Sequence, residues 1–237
     1  MTQIWGHRGA CAYAPENTLP SFELALAQGA DGVEFDVQLS KDGVPVVIHD
    51  ETVDRTTSGS GPVGSLTLAQ LQVLDASAGR MEFARVHIPT LVEVLEVLSG
   101  SRVTINIELK NSVVEYPGLE EKVVAQVGAF GVDDRVIVSS FNHESLLRVR
   151  ALAPHLRLAV LCQDILVKPW KYVRSLEIPA VHPPAPFVTK RMVQRAHEAG
   201  VAVRPWGVRG GRMLRRLLRW DVDAVFVDAP DVALALR

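Results

Sequence analysis

Short apolar runs of four to seven residues recur along the chain, separated by longer segments whose apolar positions return every third or fourth residue. The first pattern belongs to buried strands and the second to amphipathic helices. Strands are predicted over 3–7, 32–38, 103–109, 135–141, 157–161, 179–182, 201–206 and 224–228. Helices are predicted over 21–28, 119–130, 143–152, 189–199 and 213–219, with Asn142 and Thr189 placed to cap starts and Gly29 and Gly200 to end helices. This alternation implies a mainly parallel sheet with helices between its strands. A doubly wound open sheet shares the rhythm, but polar residues at the strand ends favour a (β/α)8 TIM barrel, an α/β fold.

One extended run, 44–49, breaks the repeat, because only residues 39–43 separate it from the second strand. A parallel crossover needs a dozen or more residues, whereas Lys41-Asp42-Gly43 suits a hairpin. The run is therefore predicted to lie antiparallel, folding His49 back opposite Glu34 and Asp36 at the barrel mouth. The following segment, 51–89, has no strand pattern, carries the turn Ser58-Gly59-Ser60-Gly61-Pro62, and holds one short helix pattern over 68–74. It reads as a small insertion at the mouth, within a single barrel domain spanning 1–237.

Composition narrows the function. The 237 residues are 48% apolar and 22% charged, with a formal charge of −2, so nothing attracts nucleic acid or anionic membranes generally and phosphate binding must be local. Cys11 and Cys162 are far apart and lack CxxC spacing, which points away from a disulfide framework or zinc ribbon and towards inert thiols. No run approaches a membrane span, and the start of the chain lacks a basic segment followed by an apolar one. A cytoplasmic location is expected.

Glu34 and Asp36 lie two apart in an apolar strand and so leave the same face, which in a barrel is the interior. Two carboxylates buried together require a compensating cation, and Glu108, ending another strand, is a candidate third oxygen ligand. Such a set suits Mg²⁺ or Ca²⁺ and not zinc. Lys110 is expected to point away from Glu108 in a regular strand, so that a twist at the strand end brings both to the mouth. His7 and Arg8 follow the first strand between Gly6 and Gly9, which permit close approach of backbone and ligand. Arg8 offers bidentate phosphate contact and His7 proton transfer, and His49 completes a pair of histidines facing one anionic centre.

These residues lie within motifs that extend along the chain. They are His7-Arg8-Gly9-Ala10, Ala14-Pro15-Glu16-Asn17-Thr18, Gly29 through Val37, Lys41-Asp42-Gly43, Val46 through Asp50, Asp54-Arg55-Thr56-Thr57, Asn106 through Lys110, Ser139-Ser140-Phe141 and Asp228-Ala229-Pro230. In this order the chain resembles the glycerophosphodiester phosphodiesterase family over almost its whole length. The resemblance implies a divalent ion on Glu34, Asp36 and Glu108, with His7 and His49 as the acid/base pair and Arg8 and Lys110 on the phosphate. It further implies hydrolysis of a small-molecule glycerophosphodiester to sn-glycerol 3-phosphate and an alcohol, by attack of water or of the glycerol 2-hydroxyl. Glu16 reads as a residue supporting the site or its loop.

Two segments depart from the family pattern. Trp206-Gly207-Val208-Arg209 stands where Trp-Thr-Val-Asn is common, and Phe226-Val227-Asp228 where a Thr-Asp pair is usual. Trp206 is a candidate apolar wall for the glycerol, with Phe141, Trp170 and Phe187 as further candidates, and Arg209 is expected to add a cation near the mouth. Competing readings are a lysophospholipase D-like enzyme acting on lipids and a non-catalytic barrel that binds metal and phosphate.

Overall fold

The computed structural model describes every residue except Ala84. The strands are β1 (Gln3–His7), β2 (Gly32–Leu39), β3 (Pro45–Val47), β4 (Thr104–Leu109), β5 (Val136–Ser140), β6 (Arg157–Leu161), β7 (Ala180–His182), β8 (Ala202–Val203) and β9 (Ala224–Val227). Between and after them lie α1 (Leu19–Ala27), α2 (Leu68–Gln72), α3 (Leu91–Ser99), α4 (Leu119–Phe130), α5 (His143–Leu152), α6 (Pro169–Ser175), α7 (Lys190–Glu198), α8 (Gly210–Arg219) and α9 (Pro230–Leu234). Eight strands run parallel in the order β8-β7-β6-β5-β4-β2-β1-β9. The ends meet through Asp223 N–H to the Val203 carbonyl and Phe226 N–H to the Pro205 carbonyl, at 2.9 and 3.2 Å, closing the (β/α)8 barrel.

Strand parity divides the side chains between two cores. Val33, Phe35, Val37, Ile105, Ile107, Val136 and Val138 face outward and pack, fully buried, against the apolar faces of helices such as α1, α3 and α4. Trp5, Ile137, Ala159, Ala180, Ala224 and Phe226 face inward and fill the barrel. There Trp5 meets Phe226 edge-on, with ring centroids 5.3 Å apart. The inward positions nearer the carboxyl ends carry the polar residues, which places the chemistry where barrel strands present it.

The predicted elements recur with shifted ends. Asn142 accepts a hydrogen bond from Ser145 N–H at the start of α5, and Thr189 from Met192 N–H at the start of α7. Gly29 and Gly200 adopt positive φ just beyond α1 and α7. Helices α3, α6 and α9 are not among the predicted elements, although α3 opens with a complete capping box between Thr90 and Glu93. The strand predicted over 201–206 contracts to Ala202–Val203. Pro183, Pro184 and Pro205 supply no backbone N–H, so pairing continues only through isolated contacts such as Trp206 N–H to the Pro183 carbonyl.

The hairpin forms as the spacing predicts. β3 pairs antiparallel to β2, with Val37 opposite Val47, and the turn closes through Gly43 N–H to the Ser40 carbonyl with Gly43 at φ 75°. Beyond it, Val53, Val63, Leu71, Ala76 and Ile88 join Val46 and Ile48 in a small second core, so the segment over the mouth has packing of its own.

Candidate active site

A cavity of about 420 Å³ opens at the carboxyl ends of the strands, lined among others by His7, Arg8, Glu34, Asp36, His49, Glu108, Lys110 and Trp206. The expected catalytic pair, the three expected metal ligands and Arg8, Lys110 and Trp206 therefore share one pocket. The register explains the grouping: His7 pairs with Glu34 across β1 and β2, and Asp36 with Glu108 across β2 and β4. Glu34, Asp36 and Glu108 are buried, and one oxygen from each lies within 4.8 Å of the others.

No twist of the strand end is needed to unite Glu108 and Lys110. Being two residues apart, they share a face by parity, and Lys110 Nζ lies 3.1 Å from Glu108 Oε1. The same lysine reaches His49 Nε2 at 3.4 Å. The glycines beside Arg8 permit the close approach of backbone expected of them. A Cβ on Gly9 would fall 2.4 Å from Ser21 Oγ, and one on Gly6 would fall 2.7 Å from the Gly9 carbonyl oxygen, so it is the chain's own backbone that needs the space. The resulting turn holds Arg8 at φ 53° and aims its N–H at Glu34 Oε2, 3.0 Å away.

Electrostatics mark the carboxylates as a site in want of positive charge. Burial drives the Glu34 carboxyl well above the usual carboxylate range, and the charges of Asp36 and Glu108 add to the effect. Burial and Asp36 push Glu108 up to about 7, against the attraction of Lys110. Asp36 is held below its ordinary value because Arg8, His49, Lys110 and the Asn17 amide together outweigh its burial. Its Oδ1 is nonetheless buried without a hydrogen-bond partner, and the Glu108 oxygen facing Lys110 lacks hydrogen-bond alignment. Converging oxygens, an unsatisfied one among them, fit a hard divalent cation.

Each histidine is held by a carboxylate. His7 Nδ1 lies 2.8 Å from Asp228 Oδ1 and His49 Nδ1 lies 2.6 Å from Asp50 Oδ1. Asp228 is held low by its hydrogen bond from His7, and Asp50 by those from Arg55 and His49. An ionised carboxylate only accepts, so Nδ1 carries the proton in both rings and Nε2 keeps its lone pair when the ring is neutral. Arg55 also bridges to Glu16, which pairs with Arg8 at 2.7 Å, so Glu16 braces Arg8 within the pocket lining.

Roles for Asp50, Asp228 and Gln38 were not foreseen. The buried Gln38 Nε2 donates to the carbonyls of Ile48, His49 and Asp50 at 2.7 to 3.1 Å, pinning the segment that carries His49. Its place on the Glu34-Asp36 face of β2 was a usable signal. Of the aromatic candidates, Phe141 and Trp206 line the pocket, 6.0 Å apart and edge to face. Trp170 and Phe187 line a different depression, and exposed Arg209 caps α8 outside the pocket lining, because the chain turns away after Gly207 at φ 68°.

Solved structures of phosphodiesterases share this architecture. One from Oleispira antarctica, in complex with the product sn-glycerol-3-phosphate, is 33% identical with a TM-score of 0.88, covering 100% of this chain and 96% of its own. A glycerophosphodiester phosphodiesterase from Agrobacterium tumefaciens is 34% identical with a TM-score of 0.86, covering 99% and 100%. The chain is thus a barrel hydrolase acting on phosphodiesters. The model of the Glycerophosphoryl diester phosphodiesterase family matches residues 7–232. A glycerophosphodiester phosphodiesterase of Caldanaerobacter subterraneus subsp. tengcongensis is 42% identical over 236 residues, 99% of this chain and 97% of its own length. One of Bacillus altitudinis is 44% identical over 241 residues, 100% and 98% of the two chains. The chain belongs to the glycerophosphoryl diester phosphodiesterase family.

Proposed function

We propose that the protein hydrolyses glycerophosphodiesters to sn-glycerol 3-phosphate and an alcohol, with His7 and His49 transferring the protons. The reading rests above all on one observation: both histidines face the pocket that holds the three carboxylates, each with Nδ1 committed to an ionised aspartate. That arrangement leaves Nε2 of each ring to accept or release a proton at the reacting phosphate. One ring removes the proton of the attacking hydroxyl and the other protonates the leaving alkoxide. Arg8 and Lys110 contact the phosphate oxygens and stabilise charge developing on them. Glu34, Asp36 and Glu108 would hold a divalent ion, Mg²⁺ or Ca²⁺, which would supply Lewis-acid charge at the phosphate.

The Phe141 and Trp206 rings give the pocket an apolar wall for the glycerol, and its volume of about 420 Å³ suits a small diester better than a lipid. The whole chain acts as one barrel unit, with residues 51–89 as the segment inserted at its mouth. Among the described residues no helix is long and apolar enough to cross a membrane.

The test is a coupled assay for choline, which hydrolysis of either glycerophosphocholine or lysophosphatidylcholine releases, with glycerol 3-phosphate followed beside it on the former. Glycerophosphocholine is the expected substrate. His7→Ala and His49→Ala should each lower turnover by about 10²-fold or more. Near-parental turnover in either variant contradicts that histidine's role, and a preference for lysophosphatidylcholine contradicts the substrate class.

A further inference from the structure

The loop after β1 carries a thiol that the proposed reaction does not use. Cys11 is half-buried, and its loop is tied down on several sides. Ala12 N–H donates to the Asp228 carbonyl at 2.9 Å, Arg80 donates to the Cys11 carbonyl at 3.1 Å, and Ala10 N–H donates to the Ser21 carbonyl at 2.9 Å. The tie to Asp228 matters most, because Asp228 is the residue that holds His7. One ligand atom from each of His7, Cys11 and Asp228 lies within 4.8 Å of the others.

Imidazole, thiolate and carboxylate make a donor set unlike the all-oxygen cluster on the pocket floor. Oxygen ligands alone suit hard Mg²⁺ or Ca²⁺, whereas nitrogen and sulfur with one oxygen suit borderline Zn²⁺. Ligand atoms around tetrahedral zinc stand about 3.3 to 3.8 Å apart, given bonds of roughly 2.0 to 2.3 Å. His7 Nδ1 and Asp228 Oδ1, hydrogen-bonded at 2.8 Å, would open by roughly half an ångström or more to reach that spacing. The movement falls to the Asp228 side chain, which is 63% exposed, while the tied backbone stays in place. Partial exposure of His7 and Cys11 leaves the fourth position to water.

We propose that His7, Cys11 and Asp228 form a zinc site that silences the enzyme. On binding, the thiol S–H breaks, the proton passes to solvent and a Zn–S bond forms. Zinc on His7 Nδ1 displaces the proton that this nitrogen holds towards Asp228; the proton moves to Nε2, which then carries N–H in place of its lone pair, so the ring cannot accept a proton. Silencing rests on the proton-transfer role proposed for His7, whereas formation of the site does not.

The experiment uses the full-length protein with saturating Mg²⁺ or Ca²⁺ and added Zn²⁺. It reads glycerol 3-phosphate release, and alkylation of Cys11 by iodoacetamide through mass spectrometry. Zinc is expected to inhibit reversibly and to protect Cys11 in the parent. In Cys11→Ser, with each rate normalised to its own zinc-free value, half-inhibition should need roughly 10- to 100-fold more zinc or beyond. Asp228→Asn should lose protection of Cys11. Inhibition unchanged by Cys11→Ser, with Cys11 of the parent alkylated equally with and without zinc, would place zinc on the carboxylates and overturn the site. Protection without inhibition upholds the site and contradicts the role of His7 instead.

Discussion

His7 shows what one side chain gains from its neighbours. The carboxylate of Asp228 fixes which nitrogen of the ring carries the proton, and under the proposed proton-transfer role it would steady the ring when that becomes positive. Asp228→Asn should therefore lower kcat by about tenfold or more with little change in KM, since this interaction strengthens when charge develops on the ring. A loss confined to KM, measured by steady-state kinetics, would contradict a positioning role. The Glu34, Asp36 and His49 grouping was legible in the sequence because parity and a hairpin length are local facts. Asp228 was visible as part of a motif, but its contact with His7 spans 221 residues and depends on the pairing of the first strand, β1, with the last, β9. The Lys110 expectation failed for a simpler reason, since counting residues along β4 already puts it on the Glu108 face.

Among the elements, the β2–β3 hairpin does most to build the site. β2 carries two carboxylates inward, the turn returns the chain, and Gln38 clamps the segment bearing His49. Tyr116 hydroxyl donates to the side-chain oxygen Oε1 of Gln38 at 2.8 Å and fixes the orientation of the clamp. Gln38→Leu would strand three backbone carbonyls and should cost about 1 to 3 kcal/mol by urea unfolding, with a fall in turnover as His49 loses its anchor. Full stability together with full activity would contradict the clamp. The helix ends at Asn142 and Thr189 were readable because caps are short-range. The shortening of β8 followed from prolines on two neighbouring segments, a relation that appears only once the strands are side by side. The Trp206 wall and the outward course of Arg209 depend on that same region.

At the scale of the molecule, the barrel gathers three carboxylates from two strands against two cations, and the balance depends on pH. Glu108, raised to about 7, binds its proton more tightly folded than unfolded. Its contribution to stability is present below the unfolded value near 4.5 and is lost as pH rises through about 7; Glu34 acts in the same sense. Asp36 is shifted the other way, so its contribution is present above the ordinary value of 3.8 and is lost as pH falls below it. A divalent ion favours the charged carboxylates, so added Ca²⁺ or Mg²⁺ should raise Tm more near pH 7.5 than near pH 5. Equal rises at both pH values would contradict a cation held by these groups. The parallel alternation and the barrel were legible in the hydrophobic pattern, whereas the separate second core around Val46 and Ile48 and the edge-to-face meeting of Phe141 with Trp206 are tertiary contacts that the pattern does not carry. The most direct measurement follows from the chemistry of the whole pocket. Protein stripped with a chelator is given glycerophosphocholine, and glycerol 3-phosphate is followed before and after Mg²⁺ or Ca²⁺ is restored. Release that appears only with the ion is the predicted result; full release from demonstrably metal-free protein, or none under either condition, would contradict the account.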